Sequence, residues 1–135
     1  MLLARAVWAP AGILGIHLVA TGVLDAYTLW PPLDVPMHLA GGAAIAHFWK
    51  TIVPPLLEPA LATPQLAHVE RVLVFALVGL AAVVWEFAEL LSDRLLGTSL
   101  LRSLEDTLVD LLFGLIGGGA YLLVRELTRP RRTKA

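Results

Sequence analysis

The sequence of 135 residues is 58% hydrophobic and only 16% charged, which is too apolar for an ordinary soluble domain. It contains no cysteine, so disulfides and thiolate metal sites are excluded. The net charge is −1, and no basic stripe interleaved with aromatic residues indicates nucleic-acid binding. We therefore expect a membrane protein whose partner is the lipid bilayer.

The first apolar stretch, roughly residues 6–24, predicts a transmembrane helix that is retained in the mature protein. A spanning helix needs ~20 mainly apolar residues, and this stretch has about that length. A cleavable signal is not expected, because Pro10 lies near the start of the stretch and no small-x-small cleavage site precedes Asp25.

Three further stretches, at roughly 36–53, 68–91 and 104–124, also predict spanning helices. The second should end at Pro54–Pro55, where an irregular, proline-rich connection follows. Glycines on the second and fourth helices permit close packing, either within the bundle or between the subunits of a homo-oligomer. The sequence thus predicts an all-α, four-transmembrane-helix bundle over residues 1–127 and a basic cytoplasmic tail over 128–135.

The distribution of charge predicts how this bundle is oriented. Four spans put both termini on one side, and the basic tail places that side in the cytoplasm by the positive-inside rule. All of the ten Lys and Arg residues except Arg94 and Arg102 then fall on the inner side. Most of the acidic residues fall in the outer half: Asp25, Asp34, Glu86, Glu89, Asp93, Glu105, Asp106 and Asp110. The expected location is the cell inner membrane, with an acidic pocket that opens outward.

Three of these carboxylates, Glu86, Glu89 and Asp93, lie at the end of the third helix. Their spacing places them on one face of that helix. An acid within the membrane is costly and usually functional. A rise of ~1.5 Å per residue puts Glu89 roughly 6 Å and Glu86 roughly 10 Å below Asp93. Depth therefore favours Glu86 most and Glu89 next, whereas Asp93 is explained equally well as a solvated helix end.

The start of the fourth helix adds Asp106 and Asp110. Ser103 and Asp106 can form a capping box, and acids in the first turn interact favourably with the helix dipole. Capping accounts for Asp106 but not for Asp110, which lies one turn deeper. We expect Asp110 to be functional, and Asp106 less strongly so.

His38 lies one turn into the second helix, four residues after Asp34, so that the carboxylate of Asp34 can orient its imidazole. Because several acids lie at the same depth, we expect His38 to bind a ligand rather than only to pack. His17 on the first helix is expected to support the site from a greater distance, while His47 should lie near the inner surface and outside the site.

Together these residues predict an oxygen-rich site for a divalent metal ion such as Mg, Mn, Ca, Zn or Fe. The expected metal ligands are His38, Glu86, Glu89, Asp106 and Asp110. The residues expected to support those ligands are Asp34, Asp93, Asp25 and His17. Arg94 and Arg102 are expected to bind anionic headgroups, although surface salt bridges explain them as well.

Three functions remain open at this point. A bound metal ion could activate water or bind a phosphate, as in a metal-dependent membrane hydrolase that acts on a lipid-linked or envelope substrate. Alternatively, the acids could brace the helices or bind a cationic partner in a non-catalytic module. The third function is a proton-coupled transporter, for which the inner half of the helices offers few polar side chains beyond His17 and His47.

Two motifs resemble known bacterial membrane families. The pattern Trp85-Glu86-x-x-Glu89-x-x-x-Asp93, then Gly97, Asp106-Thr107-x-x-Asp110-Leu111 and Ile116-Gly117, resembles the YjdF-type inner-membrane family. The pattern Asp34-x-x-x-His38 followed by Gly41-Gly42 resembles the VanZ-like proteins, although Val35 replaces their usual lysine and Glu-x-x-Glu replaces Glu-x-x-Gln. The resemblance implies a small multi-helix bundle with a polar cluster. VanZ-like members are linked to glycopeptide resistance, but the resemblance implies no particular reaction.

Overall fold

The computed structural model describes residues 1–57 and 64–128, and these residues are almost entirely helical. The elements are α1 (Leu2–Gly22), α2 (Ala26–Leu29), a 3-10 turn (Pro31–Leu33), α3 (Asp34–Leu57), α4 (Pro64–Leu96) and α5 (Leu104–Leu127). No strand occurs in this part of the chain, so the all-α class is confirmed. The middle of the predicted proline-rich connection and nearly all of the basic tail lie outside the described residues.

Three helices are long and apolar enough to cross a membrane: α1, the Leu66–Leu96 part of α4, and α5. Large apolar side chains are exposed along each of them, including Ile16, Val84 and Leu112. The buried apolar side chains in the described residues are instead small: Ala6, Ala20, Ala44, Ala46, Val53, Val74 and Val78. Large residues outside and small residues inside are expected of helices that are solvated by lipid. The structure therefore indicates a membrane protein.

Helix α3 is the central helix, because it packs against α1, α4 and α5. It is not among the three candidate spans. Its middle is rich in small residues, Gly41-Gly42-Ala43-Ala44, and it needs few large lipid-facing side chains because its neighbours cover it. The helix does not end at Pro54–Pro55 as expected but continues to Leu57, with both prolines in its last turn.

The closest approach in the bundle joins α3 to α5. A Cβ on Gly42 would collide with the backbone carbonyl of Gly114, so this contact requires glycine at position 42. The neighbouring Gly41 faces open space, with no atom within 4 Å of where its Cβ would lie. Gly42 and Gly114 each lie four residues, or about one turn, after His38 and Asp110. This contact therefore determines how closely His38 and Asp110 approach each other.

Candidate metal centre

Asp34, His38 and Asp110 bring three potential metal ligands together, and one ligand atom of each lies within 4.8 Å of the other two. The Nε2 atom of His38 is 3.5 Å from Oδ1 of Asp34 and 3.5 Å from Oδ1 of Asp110. In a tetrahedral site with bonds of about 2.1 Å, neighbouring ligand atoms lie about 3.4 Å apart. Two of the three pairs therefore have a spacing that suits a small divalent ion, and the Asp34–Asp110 pair lies within 4.8 Å.

The local structure explains why these three residues meet. Asp34 and His38 are one turn apart at the start of α3, where an i, i+4 pair lies on one face. Asp110 lies in the second turn of α5 and is only 4% exposed. A buried carboxylate is costly unless a cation or hydrogen-bond donors compensate it, and a metal ion beside His38 would do so. Asp34, expected only to orient His38, thus lies among the potential ligands themselves.

Glu86 and Glu89 lie near this group without belonging to it. Both are buried, with 7% and 8% of their surface exposed, and both interact electrostatically with His38. Oε1 of Glu89 accepts a hydrogen bond of 2.8 Å from Nε1 of Trp85. Oε1 of Glu86 is buried and has no hydrogen-bond partner among the described residues. Such an oxygen is rare in proteins, and a bound ion or water is one way to satisfy it; the carboxyl group of Glu86 also interacts with the side chain of Thr107.

Asp106 lies at the rim of the centre rather than in the three-residue group. Its backbone N–H donates to Oγ of Ser103 at 3.1 Å, which caps α5 as the sequence predicts. Its carboxylate lies 3.6 Å from Nη1 of Arg102, and Nη2 of the same arginine donates to Oδ2 of Asp34 at 3.0 Å. Arg102 therefore links acids of α3 and α5, an arrangement that matches the alternative expectation of surface salt bridges.

Asp93 holds the loop that follows α4. Its carboxylate accepts hydrogen bonds from Oγ1 of Thr98 at 2.6 Å and from the backbone N–H groups of Leu100 and Leu101 at 2.8 and 3.0 Å. These bonds position the loop that leads to Arg102, and none of them involves the candidate ligands Asp34, His38 and Asp110. Arg94 lies next to Asp93, exposed in the last turn of α4.

His17 meets a partner that sequence reasoning missed. Its Nδ1 atom lies 2.9 Å from the hydroxyl of Tyr27, and its ring packs edge-on against Trp85 with centroids 4.9 Å apart. Burial, together with the negative charges of Asp34 and Glu89, raises the pKa of Tyr27 to about 12. The tyrosine therefore keeps its proton near neutral pH. The only signal in the sequence was its position between two outer-half acids.

A polar space of about 590 Å³, here called the vestibule, adjoins the metal group. Its walls include Asp25, Asp34, Glu89, Arg102, His17 and Tyr27. Asp25 precedes α2 in the left-handed backbone conformation, with a φ of 48°. Asp25 and His17 thus border the space beside the centre, and His17 interacts electrostatically with His38 and Asp34.

A second polar layer lies towards the opposite end of the helices. Nζ of Lys50 donates to both carboxylate oxygens of Glu70, at 2.6 and 2.8 Å, and Glu70 is only 6% exposed. His47 lies 3.0 Å from the hydroxyl of Tyr121 and 2.8 Å from the backbone oxygen of Arg5. Sequence reasoning predicted none of these pairs, although His47 and Lys50 are three residues apart on one helix, a spacing that shares a face.

No family model, no curated protein and no solved structure matches the chain. The chemistry of the centre therefore has to be read from its own residues.

Proposed function

We propose that the chain is a four-span protein of the bacterial inner membrane that binds a divalent metal ion at its outer end. The ligands are Asp34, His38 and Asp110, and the spacing of their ligand atoms carries the proposal. Glu86 lies beside these ligands, and its buried Oε1 without a partner would have to turn towards the ion to serve as a fourth ligand. The identity of the metal is not part of the proposal.

The topology rests on α3 being the fourth span. With 24 residues and a rise of ~1.5 Å each, α3 is roughly 36 Å long, enough to cross a hydrocarbon core of about 30 Å. It packs between helices that are themselves candidate spans. With four spans, the positive-inside rule places both termini in the cytoplasm and the metal group at the outer face.

A divalent ion at this position would polarise a phosphate oxygen or lower the pKa of a bound water. Both activities suit a lipid-linked or envelope substrate that approaches the outer face. The motifs that resemble those of the YjdF-type and VanZ-like proteins include Asp34, His38, Glu86 and Asp110, and we propose on this resemblance that the chain is related to that broad group.

The metal content of purified protein tests the proposal. After dialysis against a mixture of divalent ions, we expect one tightly bound ion per chain in the wild type. Asp110→Asn should abolish this binding because it removes a ligand charge. Asp25→Asn is the matched control, since it neutralises a nearby acid outside the ligand group and asparagine tolerates the left-handed backbone at this position.

Circular dichroism of each variant shows whether it remains folded. A folded wild type that binds no ion would contradict the proposal. The bracing module would then be the better description, because Arg102 joins Asp34 of α3 to Asp106 of α5 without any metal.

A further inference from the structure

An apolar cavity of about 150 Å³ lies between α1, α3 and α4. Its walls include Ile13 and Leu14 of α1, Ile45 of α3 and Val78 of α4. The cavity exists because α1 packs along α3 but has no extensive contact with α4 or α5. The cavity is partly open rather than enclosed, so an apolar guest from its surroundings can enter it. In a bilayer, the apolar guests at hand are lipid chains.

This cavity adjoins the polar vestibule. His17 and Tyr27 line both spaces, so they mark the junction between them. Two of the candidate metal ligands also lie at this junction, since His38 lines the cavity and Asp34 lines the vestibule. An apolar space that joins a polar one has the shape of an amphiphile, with its chain in the cavity and its headgroup in the vestibule.

The charges of the vestibule favour a cationic headgroup. Three carboxylates line it, those of Asp25, Asp34 and Glu89, against one guanidinium. That guanidinium, of Arg102, is already paired with Asp34. A headgroup with only negative charge would therefore be repelled, whereas an ammonium group would be attracted.

We propose that the protein binds a membrane lipid with a primary amine in its headgroup. Part of one acyl chain occupies the cavity, and the ammonium group lies against the carboxylates of Asp25 and Glu89. Binding of the lipid does not depend on the metal ion. That this lipid is the class of substrate rests on the proposed metal centre.

Gly41 provides a selective way to close the cavity. It lines the cavity, and no atom lies within 4 Å of where its Cβ would be. The Cβ of Gly41→Leu therefore meets no atom, and the rest of its side chain should occupy the cavity. Gly15→Leu is the matched control, because Gly15 is equally open but is exposed on α1 and is not among the residues that line the cavity.

Native mass spectrometry of detergent-purified, metal-free protein tests the proposal. The probes are phosphatidylethanolamine and phosphatidylglycerol with identical chains. We expect the wild type and Gly15→Leu to retain one phosphatidylethanolamine per chain, with a preference of about tenfold over phosphatidylglycerol. Gly41→Leu should lose retention of both lipids. Asp25→Asn should still retain a lipid but lose most of the preference for the amine.

Equal retention by the wild type and Gly41→Leu would overturn the proposal, as would a preference for phosphatidylglycerol. A dimer that forms in the wild type without lipid and is lost in Gly41→Leu would also overturn it, since a second copy would then fill the space. Metal binding by Gly41→Leu separates the two proposals. Loss of lipid with retention of metal supports both sites, and a lipid bound to protein that never binds metal refutes the metal centre alone.

Discussion

The contact between Gly42 of α3 and Gly114 of α5 can be tested with a single methyl group. A Cβ on Gly42 would lie 2.7 Å from the carbonyl carbon of Gly114 and 3.0 Å from its Cα, and closer still to the carbonyl oxygen. Optimal separations between carbon atoms are about 3.5–4.0 Å. Gly42→Ala therefore has to force the two backbones apart by about 1 Å.

The expected loss of stability follows from two opposing effects. Forcing extra volume into a tight contact costs about 1–3 kcal/mol. Replacing glycine by alanine inside a helix stabilises it by about 1 kcal/mol. Gly41→Ala has only the second effect, because nothing lies within 4 Å of its Cβ position. The two adjacent variants should thus differ in stability by about 1–3 kcal/mol, with Gly42→Ala the less stable.

Thermal unfolding in one detergent, followed by circular dichroism, measures this difference. Metal affinity should fall with stability in Gly42→Ala, because the same displacement moves Asp110 away from its 3.5 Å approach to His38. If Gly42→Ala were as stable as Gly41→Ala, the close approach of α3 and α5 would be refuted. If Gly42→Ala were destabilised but bound metal with unchanged affinity, the contact would not position the centre.

Three further predictions concern other parts of the bundle. Lys50→Met leaves the buried carboxylate of Glu70 without its partner and should lower the free energy of unfolding by about 3–5 kcal/mol. The double variant Lys50→Met/Glu70→Met should recover most of this loss in the same thermal unfolding assay. Equal stability of the single and double variants would contradict the prediction. Ser103→Ala removes the cap of α5 and should cost about 1 kcal/mol in the same assay, whereas a wild-type melting curve would show that the cap contributes nothing. In Tyr121→Phe, which leaves Tyr27 as the only tyrosine, the tyrosinate absorbance should titrate with a midpoint near pH 12 instead of the usual 10.0. Because the fold favours the neutral hydroxyl, its stabilisation is complete below pH 10.0 and is lost as the pH rises through 12; a midpoint at 10.0 would show that Tyr27 is solvated.

The helices could be located from the sequence because lipid imposes a simple requirement on α1, α4 and α5. Each needs a long run of apolar residues. The runs near 68–91 and 104–124 fall within α4 and α5, and the run near 6–24 lies in α1 except for its last two residues, which follow Gly22. The ends were harder to predict. Helix α4 continues to Leu96, past the predicted end at residue 91, and includes the polar residues from Ser92 to Arg94. The short helix α2 carries no apolar periodicity and was not predicted.

The sequence predicts how deep the candidate site residues lie in the membrane, but not which of them face one another. The rise per residue puts Glu86, Glu89, Asp110 and His38 near the same level, and all four lie at or beside the centre. Which of them face one another depends on how each helix is rotated about its axis, and packing decides that rotation. The glycine contact between α3 and α5 turns Asp110 towards His38, and this is why Asp34 joins the group while Glu86 and Glu89 lie next to it.

Helix α3 is not apolar enough to be a candidate span because of the polar and small residues that it carries. One end carries Asp34 and His38, and the other carries Lys50 in its ion pair with Glu70. Between these ends, the helix needs Gly42 to admit the backbone of α5. A helix with polar groups at both ends and small residues in its middle cannot be strongly apolar, and it tolerates this composition because α1, α4 and α5 surround it. The helix that carries two of the three candidate ligands is thus the one that the other long helices enclose, and the one long helix of the described chain that is not a candidate span.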